Sequence, residues 1–327
     1  RQSLGDTLGP LQDEATSLVQ LGDVLEKRGD LNAAAIVFAD GVSLARRVRG
    51  ITGDTALALG NEAAGFSRVG DVRFAQGDLS GAGAAYEESR LIIRHIRSVV
   101  GDSPYELRAE ALSHIRIGQV YSAQADSKAA EMAYVTGLAL SRQLRDIMGD
   151  TADTLRIAAL SLNRLGDVLR KQGDLEGARV ALEEDLVLRR RVRGIVGDTA
   201  EVLQDLLLCL IQIGDLRRAK HAWREAGAAW DEGLALARQL RTMVGDTGDV
   251  IGPLVSVLGC CAAVHQHHGR REEARRQVVE AANLVRDHLE AGGTSVHISA
   301  ELLDQLQAFA EWLRDGKIQS QDSPDRP

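Results

Sequence analysis

The chain has 327 residues and a formal net charge of −8, a balance that argues against a general affinity for nucleic acid. Aromatic content is 3% and there are five prolines, which argues against a sandwich or barrel of many short strands. The three cysteines, Cys209, Cys260 and Cys261, fit no disulfide framework and point to a reducing, cytoplasmic setting. No apolar run reaches the roughly 18 residues of a membrane span, and no secretory signal opens the chain. Arginine far outnumbers lysine, which points to a bacterial source rich in GC.

The first seven residues end in Gly5-Asp6-Thr7 and read as the tail of an earlier junction, so an upstream segment is expected. The same string returns as Gly53-Asp54-Thr55, Gly101-Asp102-Ser103, Gly149-Asp150-Thr151, Gly197-Asp198-Thr199 and Gly245-Asp246-Thr247, and the series ends in Gly293-Thr294-Ser295. A second string, Leu21-Gly22-Asp23-Val24, recurs with variation at residues 69, 117, 165, 213 and 261. Both have a period of 48 residues, the signature of a solenoid.

Each repeat predicts two helices. In the fourth copy Leu155, Ala158, Leu162, Leu165 and Leu169 follow helical spacing. Gly173-Asp174 breaks the chain, with Asp174 as N-cap of a second helix from Leu175 to about Val196, and Gly197 ends that helix as a C-cap. First helices are expected to start near residues 7, 55, 103, 151, 199 and 247. A lone capping helix should cover about 296–315, carrying Leu302, Leu303, Leu306, Phe309 and Leu313. That makes thirteen helices; residues 316–327 are polar and are expected to be disordered.

The columns of the repeat say which positions pack. Ala34, Ala82, Ala130, Ala178, Ala226 and Ala274 are one residue type in all six copies, which implies close backbone approach. Phe38, Tyr86, Tyr134, Leu182, Trp230 and Val278 are always large. Gly22, Gly70, Gly118, Gly166, Gly214 and Ala262 are always small.

Leu165-Gly166, Gly173, Ala178 and Leu182 in copy four, and Val69-Gly70, Gly77, Ala82 and Tyr86 in copy two, resemble the tetratricopeptide repeat in a long form. The usual repeat has 34 residues; the added length suits extra turns in each helix. The resemblance implies an all-α, right-handed solenoid of six helix-turn-helix repeats plus a capping helix over 1–315. It also implies a non-catalytic scaffold that binds a peptide or protein partner on its concave face.

On that wall the resemblance places Asp23, Asp71, Gln119, Asp167 and Asp215, with Val19, Ser67, Ile115, Asn163 and Ile211 one turn earlier. Mixed acidic and apolar side chains suit a basic, apolar partner segment. Intrahelical pairing of Arg68 with Asp71 and of Arg164 with Asp167 is the competing structural explanation.

Two arginine columns, one from Arg46 to Arg286 and one from Arg49 to Arg241, read first as partners of the junction column Asp54, Asp102, Asp150, Asp198 and Asp246, and second as a basic track for nucleic acid. Cys261 and His265 stand four apart, a spacing that suits zinc, but Cys261 occupies a buried column, so no metal is expected. His114 reads as a core histidine. No phosphate loop, nucleophile elbow or dinucleotide fingerprint occurs, so neither a cofactor nor an enzymatic activity is expected. The alternatives to a scaffold are a regulatory or sensor region of a larger bacterial effector linked to a protease or NTPase, and a nucleic-acid-binding superhelix.

Overall fold

The structure is a computed structural model that describes residues 2–293 and 298–315. Among these residues there are thirteen helices, arranged as six hairpins and a single final helix. The hairpins are α1 (Gln2–Lys27) with α2 (Leu31–Thr52), α3 (Ala56–Ala75) with α4 (Leu79–Val100), and α5 (Pro104–Ala123) with α6 (Ser127–Met148). They continue as α7 (Ala152–Gln172) with α8 (Leu175–Val196), α9 (Ala200–Ala219) with α10 (Trp223–Val244), and α11 (Gly248–His267) with α12 (Arg271–Glu290). The last helix is α13 (Ala300–Asp315). Contacts divide the chain within α8 into two compact units, one up to Ala181 and one from Leu182.

Local chemistry stops and starts the helices at the hairpin turns and at the Gly-Asp-Thr junctions, while the Leu-Gly-Asp-Val string lies inside the first helices. Asp30, Asp78, Asp126 and Asp174 each accept a hydrogen bond from the backbone N–H three residues on, at 2.8–3.1 Å. They cap the second helix of the first four hairpins, whereas α10 and α12 follow Ala222 and Arg270 without a side-chain cap. At the junctions Gly53, Gly101, Gly149, Gly197 and Gly245 have φ between 73° and 89°, which only glycine adopts without strain. Each donates its N–H to the carbonyl of the arginine four residues earlier. That arginine's guanidinium then reaches forward to the next aspartate: Arg49 to Asp54, Arg97 to Asp102 and Arg241 to Asp246 at 2.6 Å, Arg193 to Asp198 at 2.5 Å, and Arg145 to Asp150. The junction aspartates therefore pair within the junction rather than between neighbouring repeats. The other arginine column reaches further, from Arg46 to Glu62 at 2.9 Å, Arg190 to Glu232 at 2.8 Å and Arg238 to Glu280 at 2.9 Å.

The core follows the columns. All six alanines of the invariant column have no solvent exposure. In the first unit Ala34, Phe38, Val42, Val69, Val72 and Ala85 form one cluster, and Ala82, Tyr86, Ile117, Val120 and Ala133 form the next. In the second unit α13 seats Ala310 and Leu313 on Ala262, Ala274 and Val278, with Phe309 and Trp312 alongside. The chain thus ends its core on a helix that has no hairpin partner among the described residues.

Three features differ from the sequence reading. Helix α1 starts at Gln2, so Gly5-Asp6-Thr7 lies inside a helix, where a glycine is tolerated at about 1 kcal/mol. Helix α13 starts at Ala300; Thr294 and Ser295 lie outside the described residues, as does the tail 316–327. Helix α11 is long and apolar enough to span a bilayer by composition, with a mean hydropathy of 1.5 over 18 residues. Half of that window is buried, and α11 packs against α9, α10 and α12; its composition is that of a helix enclosed by its neighbours.

Candidate functional site

The acidic column lies between successive first helices. Asp23 on α1 faces Arg68 on α3, with Nη2 3.2 Å from Oδ1, an ionic contact not aligned as a hydrogen bond. Asp71 on α3 has Arg116 Nε on α5 3.0 Å from Oδ1, accepts a hydrogen bond from Arg116 Nη2 at 3.4 Å, and accepts another from the Tyr86 hydroxyl at 2.9 Å. The same arginines cover aromatic rings: Arg68 lies 6.0 Å from the Phe38 centroid and Arg116 6.0 Å from that of Tyr86. Arg68 therefore pairs across the repeat boundary and not with Asp71 of its own helix. Asp167 is the intrahelical case, but with Arg170 at 2.8 Å and Lys171 at 2.7 Å instead of Arg164. Asp215 has Arg218 at 3.8 Å. Burial raises the Asp167 pKa, but hydrogen bonds from Lys171 and Arg170 win and hold it below the ordinary range. Gln119 is half-buried. These carboxylates hold neighbouring helices and turns together, and none is presented as an unpaired acid.

The column one turn earlier is also displaced from the expected wall. Ile115 and Asn163 are 2% and 7% exposed, and Ile211 is half-buried. Ser67 shares a hydrogen bond of 2.9 Å with Ser89 on α4, and Ile115 packs beside Gly137 on α6. This column points at the second helix of its own hairpin. Only Val19, at 42%, is well exposed.

Between the first helices the first unit carries two grooves. One, of about 460 Å³, lies between α1 and α3 over α2, with Val19, Phe38, Ala45, Ala64, Gly65 and Arg68 among its walls. The second, of about 370 Å³, lies between α3 and α5 over α4, with Gly60, Ala64, Ile93, Tyr105 and Leu112 in its lining. Their cause is legible in one column, Thr16, Ala64, Leu112, Leu160, Leu208 and Ser256. Small side chains at 16 and 64 leave the α1–α3 and α3–α5 gaps open. With leucine at both 112 and 160, α5 packs directly on α7. Gly65 is held small by its neighbour, because a β-carbon there would come 2.9 Å from Val42 Cγ2.

The first groove is mainly apolar, and the second is about as polar as it is apolar. Their rim arginines are matched, Arg68 by Asp23, Arg116 by Asp71, and Arg108 by Asp153 at 2.9 Å. Glu106 in the second groove is buried and takes a hydrogen bond from Ser103. Tyr105 stands at the mouth, 64% exposed.

The copy-six cysteines and histidines do not converge. Cys261 is buried with its thiol directed at Asp231, and His267 stacks on Trp223 with centroids 4.1 Å apart. Burial pushes the Cys260 and Cys261 thiols up to about 12. Among the described residues no group of three or more metal-ligating side chains occurs. His114 is 17% exposed at its side chain. Burial lowers its pKa, and the fields of Arg90 and Arg94 add to the effect of burial.

Residues 158–198 match a family model of the tetratricopeptide repeat. The fold is similar to that of BtubC (BKLC) from P. vanneervenii, with a TM-score of 0.64 and 17% identity over 83% of this chain and 96% of that one. It is also similar to the S. pombe nuclear import adaptor Nro1, with a TM-score of 0.57 and 13% identity over 91% and 99% of the two chains. The apo form of RapI gives 0.54 and 10% over 92% and 97%. No curated protein matches the sequence.

Proposed function

We propose that the chain, an all-α repeat fold whose residues 158–198 match the tetratricopeptide repeat, is a non-catalytic scaffold whose first unit binds an apolar-anchored segment of a partner protein in the grooves between α1, α3 and α5. Repeats of this fold are in general protein-interaction scaffolds, and the S. pombe protein of similar fold carries the name of an adaptor. The observation that carries the reading is the pair of open grooves with small residues in their walls, the first of them mainly apolar, beside a neighbouring gap where α5 packs on α7. Peptide recognition by helical grooves works through a few apolar anchors seated in such recesses.

The partner chemistry inferred here differs from the basic segment expected from the sequence. The acidic column is engaged by Arg68, Arg116, Arg170, Lys171 and Arg218, so a partner gains little by bringing cations to it. The junction arginines are engaged in the same way, which argues against a nucleic-acid track along that column. A cytoplasmic setting suits the three free thiols.

Selecting a displayed library of random peptides on the immobilised chain tests the reading. Recovered peptides should carry apolar anchors, and Ala64→Trp, which fills both grooves, should weaken them about tenfold or more, a loss of about 1.4 kcal/mol. Asp167→Lys should leave their affinity unchanged. Peptides indifferent to Ala64→Trp and lost on Asp167→Lys would return the site to the acidic column.

A further inference from the structure

Two members of the arginine column that starts at Arg46 share one kind of acceptor. In the second unit Arg190 Nη2 meets both carboxylate oxygens of Glu232 at 2.8 and 2.9 Å, and Arg238 Nη2 meets both oxygens of Glu280 at 2.9 Å. The acceptor lies 42 residues on, on the next second helix. Sequence alone puts a glutamate at that offset for Arg46 (Glu88) and Arg142 (Glu184) as well, although Arg46 is bound by Glu62 instead. Arg94 is the exception, because its counterpart is Thr136. The Thr136 hydroxyl donates to the Met132 carbonyl at 2.8 Å, and Arg94 makes no hydrogen bond or ion pair among the described residues.

At this break a depression of about 580 Å³ opens between α4, α5 and α6, with Arg90, Arg94, Arg97, Glu110, His114 and Thr136 in its lining. The other charges there are committed. Arg90 holds both oxygens of Glu87, at 2.6 and 2.8 Å. Arg97 holds Asp102 and the buried Glu110. Three arginines thus face three carboxylates, which leaves no surplus for a dianion, but the donors of Arg94 are unspent. His114 borders the same space as a neutral ring able to donate one N–H.

We propose that this depression binds a carboxylate side chain from an acidic segment of a partner protein, seated on Arg94 as Glu232 is seated on Arg190. The partner supplies in trans the glutamate that the repeat omits at residue 136. A guanidinium with two parallel donors matches a carboxylate in geometry as well as charge. The site is separate from the grooves between the first helices, so it stands whether or not those grooves bind peptide.

A fluorescent oligoglutamate peptide, titrated into the full chain at low salt and followed by anisotropy, tests this. The chain's net charge of −8 opposes non-specific uptake of such a probe, so binding reports a local site. Arg94→Ala should weaken the probe about tenfold or more. Thr136→Glu, which restores the internal acceptor, should do the same while leaving helicity intact. Arg190→Ala and Ala64→Trp should leave the affinity unchanged. Wild-type affinity in Thr136→Glu would overturn the proposal even if Arg94→Ala failed to fold. Competition by inorganic phosphate at concentrations as low as the peptide's would overturn the carboxylate assignment in favour of a general anion site.

Discussion

A β-carbon built on Gly118 would lie 2.5 Å from Cε1 of Tyr134, so the ring of α6 rests directly on the backbone of α5. Gly70 meets Tyr86 and Gly214 meets Trp230 in the same way. In the last copy the pair is Ala262 with Val278, both fully buried. The small column is small because the large column is stacked on it, and the two change together. Gly118→Ala should therefore destabilise by about 1–3 kcal/mol through overpacking, despite alanine's better helix propensity. Gly194→Ala, where no atom lies within 4 Å of the added carbon, should stabilise slightly. Urea unfolding of the two variants measures the difference, and equal shifts of one sign would mean that the rings move aside.

The invariant alanine column makes a second comparison. Ala178 is fully buried, whereas Arg190 is 53% exposed at its side chain and bound to Glu232. Ala178→Leu should cost about 1–3 kcal/mol and Arg190→Leu less than about 1 kcal/mol. Thermal melts at matched concentration test the order.

Two hairpin turns carry strain that glycine would relieve. Ala125 and His221 have φ of 62° and 59°, at positions where Gly29, Gly77, Gly173 and Gly269 stand in the other copies. The left-handed conformation costs a residue with a β-carbon roughly 1–2 kcal/mol. Ala125→Gly and His221→Gly should each raise stability by about 1 kcal/mol, a little less than the strain because glycine gains freedom in the unfolded chain. A fall in melting temperature for both would show that the side chains make compensating contacts.

The junction ion pairs predict an acid-sensitive stability. Hydrogen bonds from Arg193, then from Gln239, lower the Asp198 carboxyl from 3.8 to about 2. Asp54 and Asp246 are lowered by Arg49 and Arg241. A carboxyl whose folded pKa is depressed contributes stability that is whole above the unfolded value and is lost as pH falls through the folded one. Stability should hold down to about pH 4 and decline between about pH 4 and pH 2. Asp198→Asn should flatten that decline while lowering stability at neutral pH; an unchanged acid limb would mean that other groups govern it.

The repeat, its turns and its buried columns were legible because each depends on residues adjacent in sequence or 48 apart. Glycine at a positive φ and aspartate as a cap act locally, and the alanine column repeats without exception. The pairing of Asp71 was misjudged because its partner, Arg116, is 45 residues away and its rival, Arg68, three. Within one helix Arg68 looks closer, but in the fold it leaves for Asp23 on α1. Ile115 and Asn163 were assigned to an open wall because helical periodicity fixes a face without saying which neighbour covers it; α6 covers Ile115. The buried Glu62 and Glu110 gave no signal, since that column reads Ala158, Leu206 and Leu254 in later copies. The grooves could have been found in the sequence: Thr16 and Ala64 stand where the next three copies have leucine.

The arginine of each junction gives its carbonyl to the glycine four residues on and its guanidinium to the aspartate five residues on. The main polar needs of the joint are thereby met inside six consecutive residues, with further contacts from Arg49 to Glu62, from Arg97 to Glu110 and from Gln239 to Asp198. A cut in register at two such joints removes a 48-residue block without orphaning a charge there, and an insertion in register adds one. The array can therefore change in length by whole blocks at little electrostatic cost at its joints. The pairs that would register such an exchange are the long ones, Asp71 with Arg116 and Arg190 with Glu232, so a graft should be matched at those positions first.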